Sequence, residues 1–339
     1  MLSLETRHTA SVDIVCVDSE PGFQLYEAFV RAHPRGSLWQ SCAWKAYQRA
    51  LGREVRTYLA LEGEQCLAGA LVSIDRTAMN LSTWEIPRGP LWAEGQSRAA
   101  LHLLERILAD ARRDRCLRVY VSPSEALPHE QPWVQSSRLV QPEATLIVDL
   151  RPDHKEILAH MKPKGRYNIA LAERHDLHVA ESRDIDGFYS ILQSTAGRDH
   201  FALHPKSQYK AFLEVLPGSF LLLSGTPGEA QKPIAGLLGV TWGNTGYYYY
   251  GASLHAYRAL MAPYVLQWAA MRLCKARGCT QYDLLGVAPP DAGEGHPWRG
   301  ITSFKEKFGG ERVTYPPEQQ YTLRPMAALI LTVKRKMLG

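Results

Sequence analysis

The sequence predicts an α+β protein built twice on one plan, and three observations predict it. Its 339 residues are 45% hydrophobic and 22% charged, the balance of a soluble globular chain long enough for two domains. Short strand-like runs cluster ahead of a long helix-like run, which favours antiparallel sheet over a strict strand–helix alternation. The order strand, two helices, several meandering strands, helix, strand occurs once in each half, the mark of an internal duplication.

In the first half, residues 12–16 (VDIVC) read as a short strand, with helices at 20–33 and 42–52. Strands at 55–61 and 65–74 are joined by Glu62-Gly63-Glu64, an acceptable hairpin turn. An extended piece follows at 84–92. Residues 96–113 carry apolar side chains at 101, 104, 107 and 108, which is helical spacing. Strands return at 117–121 and 144–150. The second half repeats this order: a strand at 178–182, helices at 185–195 and 205–215, strands at 219–224, 233–242 and 246–253, a helix at 261–277 and a strand at 282–285. This order matches the acetyltransferase-like (GNAT) fold used twice. The expected domains are 1–150 and 151–324, with a C-terminal helix over 325–339 returning to the first.

A formal net charge of +5 and a pI near 8.8 suit a polyanionic partner without requiring one. The six cysteines are scattered, with no CxxC pair or Cys/His cluster, so the sequence predicts neither disulfides nor a metal site and fits a reducing cytoplasm. The N-terminus lacks the basic and apolar regions of a secretory signal, and no run approaches the roughly 18–20 apolar residues of a membrane span. Residues 326–333 (MAALILTV), followed by Lys334, Arg335 and Lys336, read as a terminal amphipathic helix packed on the body, or as a foothold on an anionic inner membrane surface.

Absences constrain the chemistry further. An acetyl-CoA pyrophosphate is normally cradled by a glycine-rich loop at a helix N-terminus, where backbone N–H groups approach the phosphates. At the expected place the second half has Arg258-Ala259-Leu260-Met261-Ala262-Pro263, without glycine, and the first-half segment 92–98 also fails to fit. A GxxxxGKS/T phosphate loop, an HExxH metal motif and a GxSxG nucleophile elbow are missing too.

Three stretches carry a family likeness. One is Asp149-Leu150 followed by Met161-Lys162-Pro163-Lys164-Gly165-Arg166-Tyr167-Asn168. Another is Tyr247-Tyr248-Tyr249-Tyr250-Gly251-Ala252-Ser253, then Arg258, Pro263-Tyr264, Trp268, Gly278 and Tyr282-Asp283-Leu284-Leu285-Gly286. The third runs from Gly300 through Phe304-Lys305 to Phe308-Gly309-Gly310. With Trp39-Gln40-Ser41, Trp44 and Arg88-Gly89-Pro90, these resemble, in order across nearly the whole chain, the Fem family of aminoacyl-tRNA-dependent peptidyltransferases. Without an inserted charged helical hairpin, the chain resembles a short member lacking the helical arm.

The resemblance implies twin GNAT-like domains and an aminoacyltransferase that uses aminoacyl-tRNA and no cofactor. The acceptor would be an amine on the peptide stem of a peptidoglycan precursor, lipid II or UDP-MurNAc-pentapeptide. A tRNA-dependent enzyme of secondary metabolism and an acyl-CoA N-acyltransferase are the alternatives. The chemistry is attack of an amine on an ester carbonyl, which calls for a fixed cation beside the developing oxyanion. The family places that cation in the Phe-Lys pair, here Phe304-Lys305; read alone, Lys305 is a solvated helix charge. Acceptor phosphate falls to Lys206 or His204 beside Tyr209, and to Lys45 and Arg49 after Trp44. Arg166 with Tyr167, in a basic cluster with Lys162 and Lys164, reads equally as a grip on tRNA or acceptor phosphate and as a wet helix start. Strand alternation puts the rings of 247–250 on two faces, one pair core and the other lining the cleft, with Tyr250 chosen for the cleft.

Overall fold

The strands form two sheets, each belonging to one of two compact units of the chain. The computed structural model describes residues 12–77, 80–128, 132–138, 140–199, 202–226, 232–293 and 295–328. One unit is Met1–Leu139 with Pro316–Gly339, and the other is Val140–Tyr315.

The first unit runs β1 (Asp13–Cys16), α1 (Glu20–Ala32), α2 (Cys42–Ala50), β2 (Glu54–Glu62), β3 (Gln65–Arg76), β4 (Ser82–Pro87), β5 (Leu91–Trp92), α3 (Ser97–Arg113), β6 (Cys116–Ser122) and β7 (Val134–Gln135). β1 to β4 form an antiparallel meander, and β4 then pairs in parallel with β6. α3 covers one face because Leu103, Leu104, Ile107, Leu108 and Ala111 recur at helical spacing and are all buried. Each such leucine or isoleucine contributes about 1.5–3 kcal/mol by leaving water.

The extended piece at 84–92 divides into β4 and β5 around Arg88-Gly89-Pro90. The Gln40 carboxamide fills the gap beside β3: its Oε1 accepts from Leu71 N–H (2.8 Å) and Tyr26 OH (3.0 Å), and its Nε2 donates to the Pro87 carbonyl (2.7 Å). Gly89 is small because a Cβ there would stand 2.7 Å from that carboxamide. Trp39-Gln40-Ser41 and Arg88-Gly89-Pro90, remote in sequence, are thus two sides of one structural plug.

The second unit runs β8 (Ala144–Asp149), α4 (His154–His160), α5 (Pro163–Arg174), β9 (His178–Ser182), α6 (Ile185–Asp199), α7 (Lys206–Val215), β10 (Ser219–Gly225), β11 (Pro233–Trp242), β12 (Thr245–Ser253), α8 (Ala262–Ala276), β13 (Gln281–Gly286), α9 (Arg299–Lys305) and β14 (Glu311–Thr314). Again four antiparallel strands, β9 to β12, lead to a parallel neighbour, β13. α8 is buried nearly all round because it lies between the sheet and α5.

The halves exchange their last strands. β8, at the end of the first sequence repeat, pairs with β13, while β15 (Gln319–Thr322), at the end of the second, pairs with β6. Residues 144–150 therefore close the first repeat in sequence yet belong to the second sheet. Glu318 pins the incoming β15: Arg138 binds its carboxylate through Nε and Nη2 (both 3.0 Å), and Ser122 donates to it (3.0 Å). Residues 325–328 begin a helix; 329–339, and with them most of the amphipathic segment, lie outside the described residues.

Candidate functional site

In the second unit the parallel strands part early. β12 and β13 pair only at Thr245–Gln281, Gly246–Tyr282 and Tyr247–Asp283. Beyond that point β13 carries an extra residue against β8, and Leu285 takes a left-handed φ of +56°. Such a φ is unusual for a leucine and turns the chain sharply. β12 carries a bulge at the same level, where the register with β11 slips between Leu238 and Gly239, from Leu238–Tyr250 to Gly239–Tyr248. The sheet opens between the two strands.

Lys305 occupies this opening. The last residue of α9, it is only 6% exposed. Its ammonium donates to the Gly286 carbonyl (2.7 Å), on the kinked end of β13, and lies 5.5 Å from the Tyr248 ring centre on β12. Burial pushes its pKa down to about 8, partly countered by the charge of Asp283. The group is therefore charged at neutral pH and has more than one N–H to offer.

Its setting is built from neighbouring backbone. Asp283, 4% exposed, accepts hydrogen bonds from the Thr145 hydroxyl on β8 and from Leu285 N–H (2.7 Å). Tyr248 folds over Gly251, where a Cβ would stand 2.1 Å from its hydroxyl. Desolvation raises that phenol to about 12, partly countered by a hydrogen bond with Gln267. Behind Lys305, a Cβ on Gly165 of α5 would stand 2.2 Å from the Lys307 carbonyl, and Lys162 N–H donates to the same oxygen (3.1 Å). Lys164-Gly165-Arg166 thus has a packing reason: a bare helix face lets α5 buttress the turn that carries Lys305.

The remaining expected residues divide. Phe304 turns its ring to Tyr264 and Phe308 (5.2 Å each) and so anchors α9. Tyr209 is buried, with its ring 4.8 Å from Tyr250. Strict alternation along 247–250 fails at the bulge: Tyr249 and Tyr250 both pack on Phe212 of α7, and the ring beside Lys305 is that of Tyr248. Lys206 binds Asp186 (2.6 Å), whose carboxyl it holds below the usual range. Arg166 donates to the Met161 and Ala159 carbonyls, and Tyr167 is 52% exposed, with Lys164 and Arg174 over its ring. In the first unit Arg49 is exposed, whereas Lys45 is buried with its ammonium 2.7 Å from the Phe23 ring centre.

Sequence reasoning missed Tyr248, Gly165 and the Gly286 carbonyl as site components. A tyrosine run and a lysine-flanked glycine were visible, but neither the bulge nor the close approach was.

Among solved structures, the crystal structure of FemX superposes with a TM-score of 0.79 at 18% identity, covering 94% of this chain and 99% of that one. A tandem GNAT protein from the clavulanic acid biosynthesis pathway superposes with a TM-score of 0.56 at 13% identity, over 92% of this chain and 99% of that one. Both have the fold described above, two tandem GNAT-like domains. In sequence, the lipid II:glycine glycyltransferase of Staphylococcus saprophyticus subsp. saprophyticus is 21% identical over 397 aligned positions, covering 93% of this chain and 95% of the relative. Those positions outnumber the residues of this chain, so the relative carries segments absent here, in keeping with a short member. The FemAB family profile matches residues 23–132, 127–224 and 224–335, nearly the whole chain, and on that match the chain belongs to the FemAB family.

Proposed function

We propose that the chain transfers an amino acid from aminoacyl-tRNA to an amine on the peptide stem of a peptidoglycan precursor, lipid II or UDP-MurNAc-pentapeptide, in the cytoplasm. The observation that carries this reading is Lys305, a buried cation held by one backbone carbonyl at the mouth of the splayed β12–β13 pair. Its family and the glycyltransferase relative support a transferase acting on such precursors.

In the reaction the neutral acceptor amine attacks the ester carbonyl. The carbonyl π electrons move to oxygen, and the Lys305 ammonium faces the resulting oxyanion. Collapse re-forms the C=O and breaks the C–O bond to the 3′-oxygen of the terminal ribose, and the proton lost by the amine ends on that oxygen as the 3′-hydroxyl. The product is an amide, and the ester supplies the driving force without a cofactor. Arg166, Tyr167, Lys164 and Arg174 give α5 a solvent-facing aromatic and basic surface suited to the tRNA backbone. Lys206 and Tyr209, with Tyr250, would meet acceptor phosphate beside α7. No described helix is long and apolar enough to cross a membrane. Peripheral contact with the inner membrane surface would fall to 326–339, where Met326 is exposed.

An acyl-CoA substrate is disfavoured by the start of α8. Met261 takes φ +57° there, and Pro263 removes one of the N–H donors a pyrophosphate needs. The test is a transfer assay on purified precursor with three donors: aminoacyl-tRNA, free amino acid with ATP, and acetyl-CoA. Product with aminoacyl-tRNA alone, lost after ribonuclease, is expected. Product from either other donor would overturn the reading.

A further inference from the structure

We infer that Asp283 and Thr145 form a clamp that positions Lys305, with β8, the strand contributed by the first sequence repeat, completing the site in the second unit. Asp283 acts through its neighbours and touches no substrate. Its carboxylate takes the Leu285 N–H (2.7 Å) and the Thr145 hydroxyl, fixing the left-handed turn at Leu285. That turn carries the Gly286 carbonyl to Lys305 (2.7 Å). Tied to both β8 and β13, the carboxylate holds the end of β13 away from β12 and keeps the opening from closing.

The same carboxylate is the charge that counts for Lys305. Among the groups facing the ammonium, Tyr248 is un-ionised near neutral pH, its phenol lying at about 12. Neighbouring charges on the turn point elsewhere: Glu306 is held by Lys162 and Arg312 (2.9 Å each), and Lys307 lies over Tyr264 (5.9 Å). Asp283 therefore acts twice on Lys305, setting its place through Gly286 and favouring its charged form.

The role of Asp283 rests on the aminoacyl-transfer reading only where turnover is measured, so the test has a readout free of turnover. Lys305 is labelled with an amine-reactive reagent across pH 6–11, and the labelled fraction is read by mass spectrometry. Asp283→Asn keeps an acceptor for both hydrogen bonds and so keeps the turn, but loses the charge. The labelling midpoint of Lys305 is expected to fall by about one unit, the low end of what a nearby opposite charge contributes. An unchanged midpoint would overturn the charge role.

Thr145→Val tests the clamp itself. Turnover is expected to fall roughly tenfold with KM unchanged, and Thr145→Ser, which restores the hydroxyl, to recover most of it. Full turnover in Thr145→Val, or no recovery in Thr145→Ser, would overturn the clamp. Should the midpoint shift as expected while the wild-type chain fails to use aminoacyl-tRNA, the charge role of Asp283 stands and the donor assignment falls.

Discussion

The two units carry the same pair of parallel strands and finish them differently. In the first, β4 and β6 stay paired from Ser82–Cys116 to Pro87–Ser122, and Arg88 N–H extends the closure to the Ser122 carbonyl (2.7 Å). In the second, β12 and β13 part after three pairs. Each unit also interrupts the first strand of that pair, at 88–90 in one and at Tyr249 in the other. The first fills the interruption with the Gln40 carboxamide, while the second opens beside Lys305. On the proposed function, the sheet whose parallel strands are zipped and whose interruption is plugged serves as scaffold. The sheet in which both are left open holds the candidate site.

Removing the cation from the open half should have the greatest consequence. Lys305→Ala should lower turnover by about 10²–10³, the usual loss on removing an oxyanion donor, with far less change in acceptor binding. Lys307→Ala is the control, because its ammonium lies over Tyr264 and away from the opening. Steady-state kinetics on both variants check this, and near-full turnover in Lys305→Ala would remove the lysine from the chemistry.

Next in size is a break in the closed half. Gln40→Ala strips partners from Leu71 N–H and the Pro87 carbonyl, both inside the plug. Leaving such groups unpaired should cost about 2–4 kcal/mol of stability. Thermal unfolding followed by circular dichroism should show the loss, while turnover per folded molecule stays within about twofold, as expected of scaffold.

A smaller effect sharpens the contrast through pH. Since Lys305 loses its proton near pH 8 in the folded chain, turnover should fall above that pH, tenfold per unit at the limit. Lys305→Arg, if it retains turnover, should lose this limb, because a guanidinium stays protonated there. The stability sign is opposite. Between about pH 8 and 10.4 the unfolded chain still holds the proton that the folded chain has released, so the cost of burying this lysine falls as pH rises. A turnover limb at the same pH in the Arg variant would assign it to another group.

Much of this was legible in the sequence, for physical reasons. Helix periodicity around 96–113, the strand runs and their repetition give a GNAT-like fold used twice, since those signals are local. Lys305 was legible only through the residues around it, because a lysine ending a helix looks solvated until the kinked strand closes over it. Tyr248 was hidden because a bulge cancels the alternation on which strand faces are assigned. Asp283 stands in the sequence only as part of the Tyr282–Gly286 stretch, because its bond to Thr145 depends on the strand exchange, and pairing across 138 residues leaves no local trace.

A last prediction concerns Lys45, the other buried lysine among the described residues. Lys45, 8% exposed, is the first unit's counterpart in burial, and its pKa is also lowered, first by burial and then by Arg49. The two lysines differ in what holds them: Lys305 has a carbonyl and a nearby carboxylate, while Lys45 has the face of Phe23. A desolvated cation–π contact is worth about 2 kcal/mol, which offsets a burial cost of similar size. Lys45→Met keeps the stem and removes both terms. Stability should therefore change by no more than about 1 kcal/mol in either direction, and acceptor KM by less than about twofold. Chemical denaturation and a KM measurement on a phosphate-bearing precursor read the two quantities. A tenfold rise in KM at unchanged stability would make Lys45 a phosphate contact and the closed half part of the substrate site.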